Sequence, residues 1–348
     1  MTPRIELRTS PHVKSPTTVA QIMRNVVYAL LPICAWSVWQ FGISALALIL
    51  TVTAACLATE RLFNWMGDRA SSLSDWSATI TGLLLALTLP PGFPLWMGAV
   101  GGFVAIALGK MLFGGLVYNV FNPALVGRAF VQAAFPVAIT TFTPAFAPNR
   151  FVEFIPTTLT PPLQIPPSLT EWIATLGIDG FTGATPMGQW KFEGVVADTT
   201  SLFTGMATGS VGETSALLIL LCGLYLALRR MMDWRIPAAM LLGAFITAGA
   251  FFLLDGDKYP APLFVLFSGG LMLGAVFMAS DMVASPVTPA GVWIYGLFMG
   301  VLTVIIRYFG GLNEGVMYAI LLGNALSPLI ESVTQPRIYG ARKREAGQ

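Results

Sequence analysis

Long apolar segments recur along almost the whole chain and are separated by short polar intervals. The hydrocarbon core of a bilayer is about 30 Å thick, and a helix of roughly 20 apolar residues crosses it. With 55% apolar and only 10% charged residues, the chain cannot bury its apolar surface in one ordinary water-soluble domain. The sequence therefore predicts an all-α polytopic membrane protein.

We predict about ten transmembrane helices in two halves of five, at residues 25–40, 43–60, 77–89, 95–112 and 118–136, and at 213–229, 236–254, 261–279, 290–307 and 315–331. The short helix 77–89 ends at a Pro-Pro-Gly-Phe-Pro run, which predicts a broken or re-entrant helix whose backbone faces protein. Five helices per half require that any two-fold repeat is inverted. The sequence FGGL occurs in both halves, from Phe113 and from Phe309, and either chance or duplication explains it.

The predicted domains are a cytoplasmic arm (1–24), a first transmembrane half (25–136), an external loop (137–212), a second transmembrane half (213–331) and a basic cytoplasmic tail (332–348). In this arrangement, fourteen of the 19 lysines and arginines lie on one side and four on the other. Because positive loops stay in the cytoplasm, both termini are expected there. The loop 137–212 is then external.

The sequence contains few residues that could ligate a metal. The sole histidine, His12, lies in the polar arm, and Cys34, Cys56 and Cys222 all fall inside apolar runs. We therefore expect no disulfide, no cysteine-ligated metal and no haem held by paired histidines. Any redox chemistry requires an organic cofactor.

The external loop contains the stretch DGFTGATP, residues 179–186. Asp-Gly favours a turn, and Gly183 and Ala184 remove bulk beside Thr185, so a planar or phosphorylated group can approach the backbone closely. A plain surface turn explains the same residues. The preceding proline- and threonine-rich run 155–167 is expected to be extended, and a capping box at Ser168 and Glu171 predicts a short helix after it.

This stretch resembles the flavinylation motif, Ser/Thr-Gly-Ala-Thr preceded by Asp-Gly, of the membrane subunits shared by Rnf electron-transport complexes and the sodium-pumping NADH:quinone reductase. The resemblance implies that Thr185 carries FMN through a phosphoester bond made by a flavin transferase. It also implies that Asp179 and Thr182 serve in recognition or local hydrogen bonding, and that Gly183 and Ala184 give clearance. Two further runs are similar to motifs of these subunits, YNVFNPALVGRAF at 118–130 and SDWSATITGLLLALTLPP at 74–91.

The same family implies a second, noncovalent flavin, riboflavin, near Asn119 and Asn122. Amides three residues apart lie on one face of a helix, and an amide both donates and accepts hydrogen bonds, as the edge of a flavin ring requires. The alternative is that the pair satisfies backbone groups freed by Pro123.

Arg128 lies inside a predicted helix, where an arginine facing lipid would cost about 2.5–3.5 kcal/mol on insertion scales. We therefore expect it to face protein. Its functional interpretations are stabilising a reduced, anionic flavin or positioning a carboxylate. The structural interpretation is an ion pair or a side chain that reaches the membrane surface.

The resemblance implies a membrane component of an Rnf-type complex in the bacterial inner membrane that relays electrons through both flavins and couples ferredoxin/NAD redox chemistry to ion transport. Expected partners are the iron–sulfur, NAD-binding and second FMN subunits, the flavin transferase and membrane lipid, and no nucleic acid. One alternative is the corresponding flavin subunit of the sodium-pumping NADH:quinone reductase. That subunit usually carries a longer N-terminal extension, whereas only about 24 residues precede the first predicted span here. Another is a solute channel or transporter without redox function.

Overall fold

The computed structural model describes residues 18–175, 183–213, 215–311 and 314–336, and within these ranges the chain forms helices and no strand. The first half contains α1 (Val19–Phe41), α2 (Ile43–Met66), α3 (Ser77–Leu87), α4 (Leu95–Ile106) and α5 (Pro123–Ala134). The connecting segment contains α6 (Pro136–Thr140), α7 (Leu169–Thr175), α8 (Pro186–Glu193) and α9 (Thr199–Thr204). The second half contains α10 (Ala216–Leu228), α11 (Arg235–Leu254), α12 (Pro262–Phe267), α13 (Leu271–Leu273), α14 (Pro289–Phe309) and α15 (Val316–Thr334).

Five of these helices, α1, α2, α11, α14 and α15, are long and apolar enough to cross a membrane. Three further apolar segments are shorter, namely Ser77–Leu87, Leu95–Met111 and Ala216–Leu228. The segment Leu95–Met111 is α4 together with a π turn, Ala107–Met111, that continues it. The fold is therefore that of an all-helical, multi-pass membrane protein.

Several predicted helix boundaries are wrong, including the end of α2, which lies at Met66 and not at residue 60. The helix predicted at 118–136 begins only at Pro123 and breaks at Phe135, before Pro136. The helix predicted at 261–279 is divided into α12, α13 and a π turn, Gly274–Met278, because residues 268–270 leave helical geometry. The first helix begins six residues earlier than predicted, where the Thr18 hydroxyl caps it by accepting a hydrogen bond from the Gln21 N–H (3.3 Å).

The break after α3 is buried, as the proline-rich run predicted. Every residue from 88 to 94 is buried. The carbonyls of Leu87 and Leu89, which α3 itself does not satisfy, accept hydrogen bonds from the backbone N–H groups of Gly212 (2.7 Å) and Val211 (2.9 Å). Non-helical backbone at membrane depth is tolerated when protein supplies its hydrogen-bond partners, and residues just before α10 supply them here.

Glycines allow the long helices to pack closely. A Cβ atom at Gly300 of α14 would collide with the carbonyl oxygen of Met240 in α11, and one at Gly243 of α11 would lie 2.7 Å from the carbonyl oxygen of Leu297. In the first half, a Cβ at Gly102 would lie 3.1 Å from the carbonyl oxygen of Val52. Small residues at helix contacts are the usual basis of helix association in lipid.

The connecting segment is fixed to the end of the α1–α2 hairpin. The Ile43 N–H donates to the Arg150 carbonyl (2.9 Å), and Arg150 Nε donates to the Trp39 carbonyl (2.9 Å). Gly42, between the two helices, has a φ of +75°, and a Cβ there would collide with the Arg150 carbonyl. Residues 155–167 form no helix or strand, and α7 follows them, as predicted.

Candidate functional site

Thr185 is the N-cap residue of α8. Its backbone is extended (φ −69°, ψ 159°), its Oγ1 accepts a hydrogen bond from the Gly188 N–H at 3.2 Å, and Pro186 occupies the first helical position. A threonine followed by proline at this position is a favourable helix start. Thr185 is only 3% exposed, so the accessible surface position expected from its loop context is wrong for this side chain.

The described residues just before Thr185 are Gly183, where the chain bends, and Ala184. Gly183 has a φ of +69°, and among the described residues the Phe142 carbonyl oxygen, at 3.8 Å, is the one heavy atom near a Cβ built there. The backbone conformation at this position therefore favours glycine. Ala184 is half-buried. Asp179 and Thr182 lie outside the described residues.

Two contacts fasten α8 to the end of α14. The Lys191 ammonium donates to the carbonyls of Arg307 (2.8 Å) and Gly310, which close the C-terminus of α14. The rings of Trp190 and Tyr308 lie 5.3 Å apart. Burial lowers the pKa of Lys191. A cation at the last carbonyls of a helix is stabilising, so the helix that begins at Thr185 has a fixed place on the membrane domain.

Asn119 and Asn122 do not share a helix face, because both precede α5. The Asn122 side chain caps this helix, and its Oδ1 accepts from the N–H groups of Ala124 (3.0 Å) and Leu125 (3.4 Å). Its Nδ2 donates to the Met278 carbonyl (3.3 Å). Both polar atoms of Asn122 are thus already used, Oδ1 at the start of α5 and Nδ2 at the Met278 carbonyl.

Asn119 has unused hydrogen-bonding capacity. Its Nδ2 donates to the Phe121 carbonyl (3.2 Å), whereas its Oδ1 is buried without a partner in the described structure. Asn119 and Asn122 line a cleft between α1, α3 and the end of α10, which we call the asparagine cleft. Its enclosed space is about 90 Å³, so a larger ligand must extend outward past the flexible methionines Met23, Met231, Met232 and Met282.

Lys110 also lines the asparagine cleft, and sequence patterns did not single it out as a site residue. It is 1% exposed, and its Nζ lies 2.8 Å from Glu60 Oε1 and donates to the Ser77 hydroxyl. Glu60 is fully buried in α2. In the sequence, Lys110 and Glu60 lie at the edges of apolar runs. Charged residues at such positions usually indicate only where a membrane span ends, so the sequence did not indicate that the two form a pair.

Arg128 faces protein, as predicted, but away from the asparagine cleft. One guanidinium nitrogen donates to the Thr88 carbonyl (2.7 Å) and lies 3.3 Å from Glu213 Oε1, and the other lies 3.7 Å from Glu314 Oε2. Two of the interpretations offered for Arg128 match these contacts, namely positioning a carboxylate and a structural ion pair. The sequence did not identify Glu213 or Glu314, because both lie at helix starts where an acid is ordinary.

A second buried arginine donates hydrogen bonds to backbone carbonyls at the other helix break, after α12. Arg307 is fully buried and donates to the carbonyls of Val265 (2.6 Å) and Ser268 (3.0 Å) at the end of α12. Its Nη2 and Glu314 Oε1 lie 3.1 and 2.8 Å from the same point, the Cβ position of Gly269. Two arginines and two glutamates therefore meet where the breaks of both halves lie. We call these four residues the buried charge cluster.

Comparisons with known proteins agree with the motif resemblance. A family model described as the NQR2, RnfD, RnfE family matches residues 6–340. The D subunit of a Na(+)-translocating ferredoxin:NAD(+) oxidoreductase complex from Acetobacterium woodii is 40% identical over 343 residues, covering 97% of this chain and 96% of that protein.

Two further relatives extend the comparison. The D subunit of a proton-translocating ferredoxin:NAD(+) oxidoreductase complex from Clostridium ljungdahlii is 38% identical, covering 97% of this chain and 96% of that protein. The D subunit of an ion-translocating oxidoreductase complex from Alcanivorax borkumensis is 37% identical, covering 97% and 98%. The match spans both halves and the connecting segment, and the chain belongs to the NQR2, RnfD, RnfE family.

Proposed function

We propose that this chain is the D-type membrane subunit of an ion-translocating ferredoxin:NAD⁺ oxidoreductase complex of the Rnf type. It relays electrons through FMN linked to Thr185 at the external side and through riboflavin nearer the cytoplasmic side. The observation that carries the proposal is Thr185, the last threonine of the flavinylation motif, at the start of a helix fastened to the membrane domain. The names of two relatives specify a proton and a sodium ion, so the resemblance does not choose between these ions.

The surroundings of Thr185 fit a phosphoester. A flavin bound there supplies reversible one- and two-electron chemistry. The N–H groups of the first turn of α8, including that of Gly188, and the helix dipole stabilise the negative charge of a phosphate attached to Thr185 Oγ1. No described residue crowds the Cβ position of Gly183. Because Thr185 is buried, we infer that the transferase acts before α8 settles against α14.

The asparagine cleft offers a noncovalent flavin one buried hydrogen-bond acceptor that has no protein partner among the described residues. Asn119 Oδ1 is a buried acceptor without a partner in the described structure, and a ring N–H would satisfy it. Lys110, with Ser77, supplies polar groups to the same cleft. In this proposal Asn119 contacts riboflavin directly, whereas Asn122 holds the start of α5. Arg128 acts on Glu213 and Glu314, away from the ring.

Topology follows from the proposal and from the breaks in the helices. We take the chain to cross the bacterial inner membrane ten times, with both termini cytoplasmic and the segment that carries Thr185 external. Two similarities between the halves support an inverted repeat. The third predicted helix of each half is broken, after α3 in the first half and after α12 in the second. In addition, α2 packs on α4 in the first half as α11 packs on α14 in the second. Partners are the iron–sulfur, NAD-binding and second FMN subunits, together with the flavin transferase and lipid.

Thr185→Ala tests the proposal, and Thr288→Ala is its matched control. Thr288 caps α14 with the same geometry, since its Oγ1 accepts from the Gly291 N–H at 3.2 Å and proline follows it. Both variants lose a cap worth about 0.5–2 kcal/mol, but only Thr185→Ala should lose covalent flavin when the transferase is present. Ultraviolet fluorescence of the chain in a denaturing gel, with intact mass, gives the readout.

Two results of this test contradict the proposal. Flavin retained on Thr185→Ala chains excludes this threonine as the attachment site. A wild-type chain that carries no covalent flavin, although the transferase is active on another substrate, favours the alternative of a channel or transporter without redox function. The sodium-pumping reductase shares the motif, and copurification with its subunits rather than with ferredoxin-oxidising partners would identify that alternative.

A further inference from the structure

A second cleft lies at the external end of the membrane domain, between α8, the α11–α12 connection and the end of α14. Its volume is about 430 Å³, and its walls include Trp190, Lys191, Lys258, Tyr259, Tyr308 and Phe309. Small-molecule sites have volumes of about 300–1,000 Å³ and combine apolar walls with a few polar groups. We call this space the external aromatic cleft; neither the motif nor the proposed function accounts for it.

The aromatic rings of the cleft form a connected set around Tyr308. The Tyr308 ring lies 5.3 Å from Trp190, 5.0 Å from Tyr259 and 5.5 Å from Phe251. The Tyr308 hydroxyl is buried and has no hydrogen-bond partner in the described structure. A buried hydroxyl without a partner costs free energy, so this group points to a ligand that accepts or donates a hydrogen bond.

The cleft lies within reach of Thr185 through α8. Trp190 lies five positions after Thr185, which places them about 7.5 Å apart along the helix axis at 1.5 Å per residue. A ribityl phosphate on Thr185 Oγ1 adds about eight bonds before the flavin ring, roughly 10 Å when extended. The contacts of Lys191 with the end of α14 keep this helix in place, so the tether and the cleft have a fixed relation.

We propose that the external aromatic cleft holds the isoalloxazine ring of the flavin carried on Thr185. This inference rests on the proposed function. A planar tricyclic ring stacks on Trp190 and the tyrosines, and the Tyr308 hydroxyl provides a hydrogen bond to a ring carbonyl or nitrogen. Two ammonium groups, those of Lys191 and Lys258, outnumber the one carboxylate of the described lining, Asp257, and stabilise the negative charge that a reduced flavin carries.

A larger cleft elsewhere on the protein provides the control. It measures about 640 Å³ and is lined by Trp96, Phe135, Leu163, Ile165 and other mainly apolar side chains. It lies close to the motif, since the Phe142 N–H donates to the Gly183 carbonyl and Thr141 lines its wall. No lysine or arginine occurs among the described residues that line it, so nothing there compensates a reduced flavin's charge.

The first experiment measures fluorescence of the Thr185-linked flavin in the folded chain, purified from cells that contain the transferase. The signal of Thr185→Ala protein is subtracted as the blank, because that protein keeps the noncovalent flavin. Stacking on tryptophan and tyrosine quenches flavin emission. Trp190→Leu and Tyr308→Leu should therefore raise emission at least twofold at unchanged flavin content, Trp190→Phe should raise it less, and Trp96→Leu should not change it.

The second experiment uses a rim residue whose replacement leaves the packing intact. Lys258 is exposed, and Lys258→Gln should shift the midpoint potential of the Thr185-linked flavin to more negative values without changing thermal stability. Unchanged emission in both leucine variants, or an unchanged potential in Lys258→Gln, overturns the inference while leaving Thr185 as the attachment site. Absence of covalent flavin in the wild-type chain refutes the proposed function itself.

Discussion

Replacing Arg128 by methionine should strongly destabilise the protein, because one guanidinium contacts a backbone carbonyl and two carboxylates in the interior. It donates to the Thr88 carbonyl and lies within 4 Å of carboxylate oxygens of both Glu213 and Glu314. The Arg128 and Glu213 side chains are 9% and 1% exposed. Methionine keeps most of the side-chain volume and removes the charge and every donor.

The expected cost is about 3–5 kcal/mol, since breaking a buried ion pair from one side leaves an uncompensated charge. The loss of the hydrogen bond to the Thr88 carbonyl is part of this figure, because an unsatisfied buried acceptor alone costs about 1–3 kcal/mol. Equilibrium unfolding in mixed detergent micelles, followed by circular dichroism, measures the free energy. Arg229→Met is the control, because Arg229 is exposed at the end of α10 and should change stability by no more than about 0.5 kcal/mol.

A second replacement tests the electrostatic part of this reasoning. Glu213→Gln in the Arg128→Met background removes one of the stranded carboxylates, so the double variant should be more stable than the sum of the two single effects allows. Groups in one network show coupling of about 0.5–3 kcal/mol. Additive single effects, or an Arg128→Met cost no larger than that of Arg229→Met, would refute the view that these charges stabilise each other.

The remaining predictions concern the asparagine cleft, topology and packing. Asn119→Leu should lower the riboflavin recovered by acid extraction while covalent flavin stays constant, whereas Asn122→Ala should lower thermal stability by about 0.5–2 kcal/mol through loss of the α5 cap; the reverse pattern would contradict the roles proposed for this pair. Reporters fused after Gln348 and inserted near Gln164 should indicate cytoplasm and exterior respectively, and the same signal at both sites would refute the topology. Gly300→Leu should reduce the amount of folded protein in size-exclusion profiles of detergent extracts, because a Cβ there collides with α11; an unchanged profile would show that the two helices can separate at no cost.

Hydropathy predicted where helices form, since each of the ten predicted segments contains helix in the structure. It did not predict where helices break. The proline run after α3 identified one break, whereas residues 268–270 interrupt α12 within an apolar run that carries only Ser-Gly-Gly. Hydropathy is insensitive to backbone conformation, and a glycine pair in an apolar segment is equally common at helix contacts.

The motif predicts Thr185 as the attachment residue, and the structure shows that its hydroxyl lies at the start of α8. Sequence spacing placed Asn119 and Asn122 together for an incorrect reason, because Pro123 begins the helix and makes Asn122 a cap. Lys110, Glu213 and Arg307 could not be found from the sequence. Their roles depend on partners 39 to 85 residues away along the chain.

The buried charges have a structural explanation that any account of ion transport must include. Each broken helix leaves carbonyl oxygens without partners at membrane depth, and an arginine from another helix satisfies them, Arg128 at Thr88 and Arg307 at Ser268. Each arginine then requires a nearby carboxylate, because an unpaired charge in a low-dielectric interior is costly. The glutamates are therefore explained by the breaks before any ion is considered. A role for Glu213 or Glu314 in ion movement requires a variant in which the fold persists, such as Glu213→Gln combined with Arg128→Met, and in which transport alone is lost.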